Sequence, residues 1–297
     1  MTLWPPPARD LGWSTQREGG TVEFTSDVIS LQVDKHVATL WLDREEARNA
    51  MGSVLWRDLL RATAALGADD AIRALVIAAK GPHFSVGLDL KEASQHLLHD
   101  EGENPSRSAS ANITYDNVRI MQDSITSLCE LPFPVIAAVH GYCIGAGVDF
   151  ISACDIRLAS SDAIFSVREA KVALVADLGS LQRLPAIISA GHLAELAFTG
   201  KDITAERAAQ IGLVNSVHGS GAADVLEAAY ELAREIAVNS PLAVRGTKSV
   251  LKANDGHTVH EGLVFAARWN TMHLHSNDLK EAMTAFVERR APVFTGD

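Results

Sequence analysis

PVIAAVHGYCIGAGVDFISACDIRLASSDAIFSVREAKVALVADLGSLQRL, residues 134–184, begins with the apolar run Val135 to Val139. Such a run has the length and composition of a strand buried on both faces. It feeds a glycine-rich turn containing Gly141, Gly145 and Gly147, and the acids Asp149, Glu169 and Asp177 follow. Backbone amides beside spaced acids are what a site needs to hold an oxyanion and move protons on carbon. The same arrangement occurs earlier: Ala74 to Ala79 is a short apolar run, Lys80-Gly81-Pro82 a turn, and Gly87 lies within Phe84 to Asp89. Leu88, after Gly87, and Ala146, between Gly145 and Gly147, are the candidate amide donors, since side-chain identity matters little when the N–H is the reagent. The alternative role for these glycines is close packing or positive φ alone. GAG is not GxGxxG, so the dinucleotide fingerprint is absent from this turn.

Working outward, Val28 to Leu42 alternates in the manner of a hairpin with its turn near Asp34-Lys35. Leu55, Leu59, Ala62 and Leu66 predict a helix over 53–66 with Ser53 as N-cap. Residues 99–112 are polar and predict a loop, 120–131 a helix, and 163–165 a short strand. Beyond Ser180 the pattern turns helical, with Thr204 near the start and Gly212 after the end of one well-punctuated helix. Strands and helices alternate in the first two thirds, which indicates an α/β core followed by a helical C-terminal region. The expected division is an extended or disordered leader over 1–22, a core over 23–215 and helices over 216–297.

Bulk properties exclude several classes. The chain has 297 residues, 47% of them hydrophobic and 21% charged, a globular composition. A net charge of -11 argues against nucleic acid as the main partner. Cys129, Cys143 and Cys154 are odd in number, fit no CxxC site and sit among apolar residues, so they read as reduced core thiols of a cytoplasmic protein. No apolar run reaches the roughly 18 residues of a membrane span, and the N-terminal residues lack the pattern of a signal peptide. His257, His260, His273 and His275 cluster near the C-terminus, but no third ligand accompanies them, so no metal site is expected.

Asp149 falls at the start of a predicted helix, where an acid also answers the helix dipole. Asp155 reads as structural, a partner for Arg157. Glu169 and Asp177 lie among Ala170, Val172, Leu174, Val175 and Leu178. Carboxyls buried in such surroundings have raised pKa values and suit acid–base work; a solvated surface loop is the other possibility.

Taken together, LDREEARNAM, GPHFSVGLDLKE, PVIAAVHGYCIGAGVDF, ACDIRLASSDAIFSVRE, LQRLP, FTGKDITAERAAQIGLVN and AFVERRAPVF resemble the enoyl-CoA hydratase/isomerase (crotonase) superfamily over residues 23–297. The resemblance implies a spiral of ββα units whose helical C-terminal region builds trimers, often hexamers. It implies a coenzyme A thioester as substrate, no separate cofactor, and an oxyanion hole made by the N–H groups of Leu88 and Ala146. Hydratases of this superfamily carry two glutamates, at the positions of Asp149 and Glu169, and a glycine where this chain has Asp177. An acid there resembles the Δ3,5-Δ2,4-dienoyl-CoA isomerases. The resemblance implies that a pair of these acids moves a proton between C2 and C6. The expected assignment is Glu169 at C2 and Asp177 at C6, with Asp149 as an electrostatic and hydrogen-bonding partner; the reverse assignment of the pair is the alternative. The resemblance also points to Arg48, Lys91 and Arg289 as contacts for CoA. Hydratase activity through the Asp149/Glu169 pair is the second expectation, and a non-catalytic binding protein on the same fold the third.

Overall fold

A computed structural model describes Phe24, residues 26–98 and residues 107–297. The leader expected over 1–22 lies outside the described residues, as does part of the polar segment expected as a loop. In chain order the elements are β1 (Ile29–Asp34), β2 (Val37–Leu42), α1 (Ser53–Gly67), β3 (Ala74–Ala79), α2 (Leu90–Leu98), α3 (Arg107–Glu130), β4 (Val135–Val139), β5 (Tyr142–Ile144), α4 (Ala146–Ser152), β6 (Ile156–Ala159) and β7 (Ile164–Ser166). There follow α5 (Ser180–Arg183), α6 (Ala190–Thr199), β8 (Ile203–Thr204), α7 (Ala205–Gln210), β9 (Ser216–Val217), α8 (Ala222–Ala237), α9 (Pro241–Ala253), α10 (Val259–His273) and α11 (Asn277–Glu288).

Two sheets organise the chain. The larger runs β1-β2-β3-β4-β6-β9 and the smaller β5-β7-β8. Among the described residues only the β1–β2 hairpin and the β7–β8 pair are antiparallel; the other strand pairs are parallel. Parallel strands are normally covered on both faces, and β3 shows it: all six of its residues are buried. Leu75 and Ile77 face the core formed with Leu59, Leu66, Ile125 and Leu128. Ala74 and Val76 face a second core under α8. That helix presents Val225, Ala229, Ala233 and Ala237 at four-residue spacing, and small side chains let it lie close to the sheet. The core therefore extends past the boundary expected at residue 215, because β9 pairs with β6 and α8 covers the sheet.

Several local expectations are corrected. The N-cap of α1 is Gly52, not Ser53; the Ser53 N–H is answered from a distance by Glu92 Oε1 at 2.9 Å. Residues 107–112 belong to the 24-residue helix α3, not to a loop. Its solvent-facing start is polar because residues 111–117 are exposed, not because the backbone is irregular. Asp155 pairs with Lys248 Nζ at 2.7 Å, while Arg157 donates to the carbonyls of Leu213 and Cys154. The strands β5, β6, β8 and β9 are not legible in the sequence, because runs of two to four residues carry too little periodicity.

Candidate active site

The two glycine turns meet. Ser85 bridges to Cys143 and Leu88 to Met51, so the segment after β3 is stitched beside β5. Gly87 has φ +87°, and a Cβ there would stand 2.7 Å from the carbonyl oxygen of Ile144 and 3.3 Å from the nitrogen of Ala146. Only glycine permits this backbone-on-backbone approach. The buried Ser85 hydroxyl locks the turn, donating to the Asn49 carbonyl at 2.7 Å and accepting from Gly87 N–H at 3.1 Å. Neighbouring amides are spent on Tyr142, Arg48 and Met51 carbonyls. The amides of Leu88 and Ala146 donate to no protein acceptor among the described residues. That of Ala146 is free because it opens α4, where helix N–H groups have no intrahelical partner.

The acids converge on the same place. Leu88, Ala146, Asp149, Glu169 and Asp177 all line one pocket, whose walls are Val86, Leu90, Ile144, Val172, Leu174, Val175 and Leu178. Asp149, in the first turn of α4, is buried, and its Oδ1 accepts from the Ser180 N–H at 2.5 Å. Burial pushes its carboxyl above the usual range, opposed by hydrogen bonds from Ser180 and by the charge of Arg183. Glu169 opens a short 3-10 turn, Glu169–Val172, after β7. Burial, then the negative charge of Asp149, pushes its carboxyl up to about 7. Its Oε2 is buried without a hydrogen-bond partner. Desolvation also raises Asp177, although the residue as a whole is exposed. Val172, Leu174 and Val175 line the pocket yet are themselves exposed, so on this side they give the acids an apolar but open wall. Asp149 is buried and joined to Ser180 from across the fold, whereas Glu169 is half-buried.

The segment bearing Asp177 is moored to α3. Gln122 Nε2 donates to the Asp177 carbonyl at 2.6 Å. Arg183 reaches the Leu178 carbonyl at 3.1 Å and Thr126 Oγ1 at 2.7 Å. Neither Gln122 nor Arg183 was singled out from sequence, because each contact joins distant parts of the chain. The candidate CoA contacts fare unequally. Arg48 is exposed and its carbonyl accepts from Val86, a pocket residue; Lys91 is exposed beside Leu90. Arg289, the left-handed C-cap of α11, is exposed and does not line the pocket. His257 and His273 are hydrogen-bonded to nearby backbone carbonyls, and among the described residues no three His, Cys, Asp or Glu side chains are grouped to hold a metal ion.

Two unspent amides can stabilise a developing oxyanion, each such donor contributing roughly 3–4 kcal/mol. Acids at different places in an apolar cleft can take a proton from one carbon and return it to another. The chain belongs to the enoyl-CoA hydratase/isomerase family, whose sequence model matches residues 32–297. Within it, the chain is similar to proteins named Delta(3,5)-Delta(2,4)-dienoyl-CoA isomerase. The mitochondrial protein of Dictyostelium discoideum is 40% identical over 273 residues, 91% of this chain and 92% of that one. The peroxisomal protein of Arabidopsis thaliana is 37% identical over 270 residues, 91% and 96% of the two chains. Among solved structures, an enoyl-CoA hydratase from Bacillus anthracis superposes with a TM-score of 0.82 at 29% identity, covering 91% of this chain and all (100%) of that one. The crotonase-like α/β fold is thus established, with its helical C-terminal portion.

Proposed function

We propose that this chain is an isomerase that converts 3,5-dienoyl-CoA to 2,4-dienoyl-CoA in fatty-acid β-oxidation. The observation that carries the reading is Asp177 in one pocket with Glu169 and the two free amides. The thioester oxygen accepts from Leu88 N–H and Ala146 N–H. A base removes a proton from C2, and its electron pair delocalises onto that oxygen and along the conjugated chain. As the carbonyl re-forms, C6 takes up a proton, leaving double bonds at C2 and C4. No atom is gained or lost, and no cofactor enters. We assign C2 to Glu169, which titrates near 7 and is therefore both a competent base and a competent acid at neutral pH. Asp177 is assigned to C6, and Asp149 holds charge beside Glu169.

Incubating the protein with 3,5-octadienoyl-CoA should generate the absorbance of the 2,4-dienoyl chromophore. A second reading, hydration of a 2-enoyl-CoA, draws on the adjacency of Asp149 and Glu169, which resembles a water-holding pair. Brisk hydration of crotonyl-CoA without dienoyl conversion would favour it and sink the first. Arg48 and Lys91 are proposed to hold the CoA moiety, and Arg48→Ala should raise KM in the same assay with kcat little changed.

We also infer a homotrimer or a dimer of trimers. Val259, Leu263, Met272, Phe286 and Val287 on α10 and α11 are each more than half exposed, at 82%, 65%, 71%, 83% and 78%. Apolar residues gathered at one end of a chain mark an interaction surface, and Arg289 on the same end would then approach a neighbouring subunit's CoA. Light scattering should give three or six times the 31.8 kDa chain mass; a monomer would refute the assembly. Among the described residues no helix is long and apolar enough to cross a membrane. The three unpaired cysteines support a reducing compartment, and we propose the cytoplasm.

A further inference from the structure

We propose that the hydroxyl of Ser180 is a positioning group for the acid cluster, fixing the Asp149 carboxylate beside Glu169; the inference rests on the proton-transfer role given to those acids above. Ser180 and Asp149 are each 1% exposed, and they approach although 31 positions apart. The main chain of Ser180 already grips Asp149 Oδ1 at 2.5 Å. Its hydroxyl is buried and meets no acceptor at full hydrogen-bond geometry, and the acceptor beside it is the same carboxylate. A buried donor left without an acceptor is destabilising, so the hydroxyl is retained at a cost unless it serves the acid.

The charges around Asp149 show what that service is. Glu169 on the 3-10 turn and Asp177 on its loop oppose ionisation of Asp149, while Arg183 on α5 favours it more remotely. Cys143 on β5 faces it too, but burial keeps that thiol neutral. Ser180 thus grips Asp149 by its main chain and brings a buried, otherwise unpartnered hydroxyl to the same carboxylate. Holding Asp149 ionised and in place sustains the charge that keeps Glu169 able to give up or accept a proton near neutrality. Without the hydroxyl, Asp149 protonates more readily and Glu169 is released toward ordinary carboxyl behaviour.

The test compares Ser180→Ala with Ser180→Thr, which keeps a hydroxyl. Ala should lower kcat about tenfold with KM unchanged, and move the acidic limb of the kcat profile down by about 0.5–1 pH unit. Thr should restore both. A parental profile and kcat in Ala, or a folded Thr variant as impaired as Ala, overturns the proposal. The same profiles are taken for C2–H exchange of a 3-enoyl-CoA in D2O, which needs only the amides and Glu169. If the parent does not isomerise dienes but Ala still shifts the exchange profile, the substrate assignment fails and the role of Ser180 stands.

Discussion

Asp177→Asn should slow the conversion of 3,5-dienoyl-CoA by about 10²–10⁴-fold, the usual contribution of a positioned acid or base. Asn has the shape of the acid and cannot deliver or accept the proton. Asp177 is exposed as a residue, and its segment is held through the main chain by Gln122 and Arg183, so the substitution leaves the fold and the binding of acyl-CoA intact. The informative companion measurement is exchange of the C2 hydrogen in D2O. With Glu169 acting at C2, exchange survives in Asp177→Asn while the diene fails to move, because the enolate forms and returns. Loss of exchange together with turnover would place Asp177 at C2 and reverse the assignment. Undiminished turnover would remove Asp177 from the chemistry altogether, and with it the distinction from a hydratase.

The parts of this site that were legible in sequence are those written in local residue types. Gly87 and Gly145 stand at positive φ beside apolar runs, and both the runs and the glycines are visible in a linear string. From them follow the strands β3 and β4 and the amides of Leu88 and Ala146. The acids were legible as candidates, but the cause of their perturbation was not. The apolar neighbours of Glu169 predict local enclosure, yet residues 170–175 are exposed and Glu169 is half-buried, with its Oε2 withdrawn from solvent. What tertiary structure alone supplies is the pairing of distant groups. The grip of Ser180 on Asp149, the Gln122 tether on Asp177 and the Arg183 strap to Thr126 each join segments at least 31 residues apart. The same holds for α1, whose first amide is answered by Glu92 rather than by a cap residue in its own sequence.

Glu169→Gln carries two expected results of opposite sign. Catalytically it should remove both isomerisation and C2–H exchange, by about 10³-fold or more, since it takes away the only group assigned to C2. Thermodynamically it should stabilise the protein at alkaline pH. Glu169 titrates near 7 in the folded chain and near 4.5 when free, so folding favours its protonated form. That contribution is fully present below pH 4.5 and is lost as pH rises through 7. Ionised Glu169 then faces the charge of Asp149, with its Oε2 buried and unpartnered. An uncharged Gln escapes that repulsion at every pH. Because Glu169 is only partly enclosed, solvent screening reduces the full linkage value, and the gain at pH 8 is about 1–3 kcal/mol. For a chain of this size that raises Tm by about 2–6 °C, with little difference between variant and parent at pH 4.5. Thermal unfolding at the two pH values checks it. A variant less stable than its parent at pH 8 would mean that Glu169 is held ionised by partners in the folded chain, and would remove the repulsive pair on which its proton-transfer role is argued.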